Sequence, residues 1–232
     1  MARITKKSQG KNKGTKVGFI GEGYVLESAR KICDELGYSN GWYSDLNNLD
    51  CDVLFALRVK RIIPKNILDK ISKGVVVIHY GKLPYYRGYY PINQAIRNGE
   101  TEIGITMFYA DEGVDTGDVI DQRIIKIDDN ETVEQVYLRC DDVAISMFED
   151  NLESVIGGTV ERKKQTAGGS LFRENDLTRK LVLNVRDIKV LHSFIRSLTG
   201  RNQERAYIED EQYRLYFEKT ILVKKRSGDE IR

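Results

Sequence analysis

The sequence predicts an α/β fold built on a mainly parallel sheet. Short apolar runs recur along the chain as KVGFIG (16–21), DVLFAL (52–57) and VVVIHY (75–80). Between them lie stretches with helical spacing, Tyr24 to Leu36 and PKNILDKIS (64–72). Buried-type strands alternating with helices are the pattern of βαβ units, in which crossover helices cover the faces of parallel strands. The chain of 232 residues, 41% hydrophobic and 31% charged, is long enough to bury such a core without a disulfide or metal staple.

Each element has its own justification. The helix after the first strand places Val25, Ala29, Ile32 and Leu36 on one face. Pro64 suits the first turn of the second helix, because a missing N–H costs nothing there. YPINQAIRNG reads as a short helix with Pro91 near its start and Asn98-Gly99 as a left-handed cap. GITMFYA (104–110) and DVIDQRIIKI (118–127) are strands flanking the loop Asp111 to Gly117. Thr132 with Gln135 makes a capping box for a long helix with Val133, Val136, Cys140, Val143 and Met147 on its apolar stripe, ending near Gly157-Gly158. Asp187 caps a helix with Ile188, Leu191, Ile195 and Leu198 on one face. AYIEDEQYRLYFEK (206–219) reads as a hairpin turning near Asp210-Glu211. The expected organisation is a solvated basic arm over 1–15, an α/β domain over 16–163 and a small appendage of helix and hairpin over 164–232.

Composition excludes several classes. Lys+Arg 37 against Asp+Glu 35 gives a net charge of +2, so no large field argues for nucleic acid. The cysteines, Cys33, Cys51 and Cys140, are scattered, and the histidines are His79 and His192. No metal spacing appears, so no metal is expected, and reduced thiols fit a cytoplasmic location. No apolar run approaches the ~20 residues that span a bilayer, and the basic N-terminus lacks the apolar stretch of a secretory signal.

Three segments carry chemistry. Gly21-Glu22-Gly23 follows a strand and opens a helix, the setting of a phosphate-binding turn, but Leu26 stands where a dinucleotide fingerprint needs its third glycine. His79 ends a buried strand, where open α/β sheets hold ligands. Near it stand Lys82, Arg87, Gly88, the tyrosines at 85, 86, 89 and 90, and a helix start at Pro91, a set suited to an anionic ligand bearing a ring. The loop Asp111-Glu-Gly-Val-Asp115-Thr-Gly-Asp118 lacks the spacing of a calcium loop. Read with His79, it offers a carboxylate that can orient an imidazole.

At these segments the chain resembles the formyltransferases that use 10-formyltetrahydrofolate. Those proteins share a strand ending Asn-x-His-x-x-x-x-Pro-x-x-Arg-Gly and a loop Asp-x-Gly-x-Asp-Thr-Gly-Asp. Here the first reads Val77-Ile-His79-Tyr-Gly-Lys-Leu-Pro84-Tyr-Tyr-Arg87-Gly88 and the second Asp111-Glu-Gly113-Val-Asp115-Thr-Gly-Asp118. NGETEIGITMFY (98–109) resembles the linking stretch and RIIP (61–64) the border of the folate pocket, so the likeness covers about Lys16 to Ile156. It implies a Rossmann-like domain with His79 and Asp115 as catalytic residues, the imidazole assisting proton removal from an attacking amine. It implies 10-formyltetrahydrofolate as co-substrate, bordered by Arg61, Ile62, Asp111 and Gly113.

The family's Asn is replaced by Val77, which cannot donate to a developing oxyanion. Loss of such a donor costs about 10²–10³ in rate. The expectation is therefore a slow enzyme, one whose oxyanion meets another donor such as Asn93 or Gln94, or a relative that only binds folate or sugar nucleotide. Among the branches, the methionyl-tRNA enzymes carry a longer C-terminal domain, and the glycinamide ribonucleotide enzymes open with a Ser- and Asn-bearing phosphate loop. The branch acting on nucleotide-linked amino sugars has a Gly-Gly-Ser segment, a helix with Ile-Arg-x-Leu-Thr and a hairpin. GGS (168–170), Ile195-Arg196-Ser-Leu-Thr199 and AYIEDEQYRLYF resemble that tail. The resemblance thus implies a sugar N-formyltransferase, a homodimer serving a surface glycan such as lipopolysaccharide, whose expected partner is a nucleotide-linked amino sugar, with dTDP the expected nucleotide, rather than a membrane or nucleic acid. Lys82, Tyr86, Arg87 and Gly88 are its expected substrate contacts. The alternative is a formyltransferase acting on another amine such as methionyl-tRNA.

Overall fold

The computed structural model describes residues 14–179, 187–200, 205–209, 211, 212, 214–218, 220 and 221. Residues 1–13 of the basic arm and Asp210 of the hairpin turn lie outside them. The chain divides into two units. The first lies within Met1–His79, Ile105–Arg123 and Asp141–Ala167, the second within Tyr80–Gly104, Ile124–Cys140 and Gly168–Arg232.

The central sheet is built from β1 (Lys16–Gly21), β2 (Ser39–Trp42), β3 (Val53–Leu57), β4 (Val75–His79), β6 (Glu102–Tyr109) and β7 (Val119–Lys126), in the order β2-β1-β3-β4-β6-β7. The first four strands run parallel, and β6 joins β4 antiparallel with His79 opposite Thr106 and Val77 opposite Phe108. β3 is buried at all five positions, as a central strand covered on both faces must be. Gly18 is needed at the neck of this packing, because a Cβ there would lie 2.4 Å from Cys51 Sγ.

The helices are α1 (Tyr24–Leu36), α2 (Lys65–Leu68), α3 (Pro91–Arg97), α4 (Val133–Gly157) and α5 (Ile188–Arg196), and all but α2 fall where the sequence places them. The Thr132–Gln135 capping box forms, with Thr132 N–H donating to Gln135 Oε1 at 2.8 Å and Gln135 N–H to Thr132 Oγ1 at 3.4 Å. Asp187 caps α5 by accepting from Lys189 N–H at 2.8 Å.

Four expectations need correction. β2 escapes the sequence reading because SNGW carries no apolar alternation. α2 is a single turn rather than a helix through 72; from there the chain tightens, Lys70 N–H reaching Ile67 O, and delivers Ile71 to Ile63 and Ile67 in the core. The buried face of α1 is Val25, Leu26, Ala29 and Cys33, while Leu36 is exposed. On α5, Ile188 is exposed, and the buried face is His192, Ser193, Ile195 and Arg196.

The second unit adds two small ladders. β5 (Arg87–Gly88) pairs in parallel with β8 (Leu171–Phe172), and β9 (Ala206–Glu209) pairs antiparallel with β10 (Arg214–Phe217). The expected hairpin therefore forms. Leu177, Ile195, Leu198 and Ala206 make this unit's apolar cluster, with Tyr90, Leu191, Phe194 and Phe217 against it.

Candidate active site

His79 is the last residue of β4, at the carboxyl end of the parallel strands. Strand alternation puts Val75, Val77 and His79 on one face. Val75 belongs to the buried cluster with Ile63, Ile67 and Ile71, and Val77 packs against it. The imidazole is thus the polar end of an apolar row.

Asp115 approaches from the loop between β6 and β7. Its Oδ2 lies 3.5 Å from His79 Nδ1, with the side chains 10% and 19% exposed for His and Asp. This is long for a hydrogen bond. A carboxylate only accepts, so this contact favours the tautomer with its proton on Nδ1 and leaves Nε2 as the basic nitrogen.

The loop is held tightly. Asp115 adopts a left-handed conformation (φ 53), one that Asp tolerates better than most residues. Asp111 Oδ1 accepts from Gly113 N–H at 3.0 Å and from the Thr116 hydroxyl at 2.6 Å. Gly117 is obligatory, because a Cβ there would lie 1.7 Å from Tyr109 O. Lys65 of α2 pairs with Glu112 of the loop. Ile62 is 64% exposed. His79, Asp115, Arg61, Ile62, Asp111 and Gly113 thus all lie in the first unit.

Lys82, Tyr86, Arg87 and Gly88 lie in the second. Lys82 Nζ is 2.7 Å from Glu102 Oε1, so an acid already faces that cation. The Tyr86 hydroxyl donates to Glu100 at 2.6 Å, and burial together with that acceptor pushes its pKa up to about 12. Arg87 and Gly88 form β5, where Gly88 (φ 84) is required because a Cβ would lie 2.2 Å from Phe172 O. The half-buried Arg87 has an Nε without a hydrogen-bond partner among the described residues.

The Gly-Gly-Ser segment of the tail joins this group directly. Tyr86 N–H donates to Ser170 Oγ at 2.8 Å and Arg87 N–H to Ser170 O at 2.9 Å, while the Tyr86 ring stacks on Phe172. Asn93 and Gln94 are buried in α3. Asn93 Nδ2 donates to Ser197 O at 2.6 Å, and Gln94 Nε2 has no partner among the described residues.

Sequence reasoning passed over three residues here. Thr106, fully buried opposite His79, accepts from Gln122 Nε2 at 2.8 Å. Gln165 donates to two carbonyls of the Asp115 loop. A threonine in a strand and glutamines in a strand and a loop have no local signature. The thiols of Cys33 and Cys51 are pushed up to about 12 and about 11, mainly by burial, which leaves them protonated and poor nucleophiles.

Residues 30–152 match the sequence profile of the formyl transferase family. The chain belongs to that family. In sequence it is 31% identical over 165 residues to the methionyl-tRNA formyltransferase of Fusobacterium nucleatum, a match covering 70% of this chain and 53% of the relative. The chain thus spans about half the length of the family relatives it matches in sequence. In fold it is similar to a sugar N-formyltransferase from a Shewanella species, with a TM-score of 0.78 at 18% identity over 90% of this chain and 99% of the other. It is also similar to an N-formyltransferase from Helicobacter canadensis in complex with folinic acid and dTDP-3-aminofucose, with a TM-score of 0.68 at 19% identity over 87% and 95% of the two chains. No described helix is long and apolar enough to cross a membrane.

Proposed function

We propose that this family member transfers the formyl group of 10-formyltetrahydrofolate to the amine of a nucleotide-linked amino sugar. The observation that carries the transfer chemistry is the His79–Asp115 pair, 3.5 Å apart at the carboxyl end of the sheet. As the bond from the formyl carbon to the folate nitrogen breaks and tetrahydrofolate leaves with a proton on that nitrogen, the amine that attacked the carbon must lose its own proton. His79 takes that proton at Nε2, while Asp115 holds the ring and balances the imidazolium. General-base assistance of this kind contributes about 10²–10⁴ in rate.

The residues present fit a folate. Exposed Ile62 offers an apolar edge, and the self-bonded Asp111–Gly117 loop offers a backbone surface that needs no rearrangement. Arg61, Ile62, Asp111 and Gly113 would hold the folate, which supplies the formyl carbon when bound. The sugar-nucleotide reading draws support from the tail. The likeness to the Shewanella structure covers 90% of this chain, and the Gly-Gly-Ser segment docks on the Tyr86-Arg87-Gly88 segment. Arg87, whose guanidinium charge suits a phosphate, is the proposed diphosphate contact, with Lys82, Tyr86 and Gly88 shaping the surface around it. Likeness to the Fusobacterium enzyme favours a second reading, in which the acceptor is methionyl-tRNA.

Mass spectrometry separates the two. The protein is incubated with 10-formyltetrahydrofolate and a panel of thymidine- and uridine-diphosphate amino sugars, with methionyl-tRNA and glycinamide ribonucleotide alongside. The expected result is a formyl-mass gain on a sugar nucleotide that His79→Ala abolishes. Gain on methionyl-tRNA alone would replace the sugar reading. Folate and sugar-nucleotide binding without any gain would make this chain a binding relative.

A further inference from the structure

The side chain of Gln165 makes two hydrogen bonds, both to the loop that carries Asp115. Its Nε2 donates to Asp115 O at 2.9 Å and to Gly117 O at 2.8 Å. Both partners are carbonyls, which only accept, so the amide orientation follows from chemistry. One hydrogen serves each carbonyl. Gln165 reaches the loop because the segment before it is pinned to β7, with Lys163 and Val119 exchanging backbone bonds of 2.8 and 2.7 Å.

This clamp acts where the loop is strained. Asp115 is in the left-handed region (φ 53), a conformation that L-residues adopt only where their surroundings impose it. Asp111 fixes Gly113 and Thr116 from inside the loop, whereas Gln165 fixes 115 and 117 from outside it. The peptide of Asp115 sets where its carboxylate points, and that carboxylate meets His79 Nδ1.

We propose that Gln165 is a positioning residue that holds the Asp115 backbone so that its carboxylate keeps the His79 proton on Nδ1. It touches no reacting atom; it acts through Asp115 on the nitrogen that must accept. Without the clamp the loop relaxes and the carboxylate leaves Nδ1. The neutral ring then redistributes its proton toward Nε2, the tautomer that cannot serve as base. The consequence for turnover rests on the formyl-transfer reading above, but the tautomer itself does not.

Long-range proton–nitrogen NMR of the imidazoles tests this on the full chain without substrate. The protein has only His79 and His192, so a His192→Gln sample assigns both signals. In alkaline buffer, above the ordinary imidazole range, wild-type His79 should carry its proton on Nδ1. Asp115→Ala calibrates the loss of the carboxylate. Gln165→Leu, and Gln165→Glu of equal length but with no hydrogen to give, should move His79 most of the way to the Asp115→Ala pattern. His192 is the internal reference for intact folding, since its Nε2 lies 2.7 Å from Asp129 O and its Nδ1 2.7 Å from Thr220 Oγ1 within the other unit. A His79 signal unchanged in both Gln165 variants would overturn the proposal, as would a wild-type ring protonated on Nε2. An assay showing no formyl transfer by wild type, beside the expected shift, would sink the catalytic reading and leave the clamp standing.

Discussion

In the first unit Phe19, Phe55 and Phe148 are fully buried with their rings 4.8–5.8 Å apart. In the second unit the buried positions of α3 and α5 include Asn93, Gln94, His192, Ser193 and Arg196. Three of them bond to backbone elsewhere in that unit: Asn93 to Ser197 O, His192 to Asp129 O, and Arg196 Nη1 to Asp128 O and Glu131 O at 3.1 and 2.9 Å. Apolar packing is non-directional and tolerates many arrangements of similar volume. A buried hydrogen bond is directional and leaves a costly orphan when one partner goes. The ring cluster of the first unit therefore gains its stability from volume, and the buried polar positions of α3 and α5 rely more on matched partners.

Substitutions can break or sharpen that contrast. The largest expected effect is chemical: His79→Ala should lower kcat/KM about 10²–10⁴-fold. Its thermal midpoint should stay near wild type, since the residue ends its strand and lies at the margin of the core. A variant that unfolds instead would make His79 a structural residue. Next is Phe148→Ala, which removes a fully buried ring meeting Phe19 and Phe55. Urea titration should show about 3–5 kcal/mol lost.

Val77→Asn comes third. It places an amide donor one residue pair before His79 on the same face of β4. Formyl transfer should rise about 10²–10³-fold if the missing donor limits the rate, and an unchanged rate in single-turnover kinetics would mean another group already meets the oxyanion. Asn93→Val should follow with about 1–3 kcal/mol, because it strands the Ser197 carbonyl in a buried site. A loss as large as that of Phe148→Ala would erase the contrast between the units. Smallest is Arg87→Ala, expected to raise the sugar-nucleotide KM about tenfold with kcat little changed. An unmoved KM would remove Arg87 from the substrate surface.

The same contrast governs what could be read in advance. The runs at β1, β3 and β4 were legible because burial on both faces demands unbroken apolar sequence. β2 was not, because an edge strand such as SNGW owes its place to pairing with β1 rather than to its own side chains. On α5 the apolar spacing pointed to Ile188, yet the helix turned His192 and Arg196 inward, since the carbonyls of 128–131 waited there for donors. In the candidate site, His79 and Asp115 carried recognisable motifs, whereas Gln165, Thr106 and Gln122 did not. Their roles consist of partners found only across the folded chain.

By itself the sequence determined the alternation of strands and helices, the position of His79 at a strand end, the capping of α4 and α5, and the hairpin. All of these follow from apolar periodicity and short-range capping, which act within a few residues. Only the tertiary structure decided that Asp115 comes within 3.5 Å of His79, that Ser170 docks on the Tyr86–Arg87 segment, and that Gln165 clamps the acidic loop. These are directional bonds between groups far apart in the chain. They exist only once burial of the sheet and its helices has brought those groups within reach.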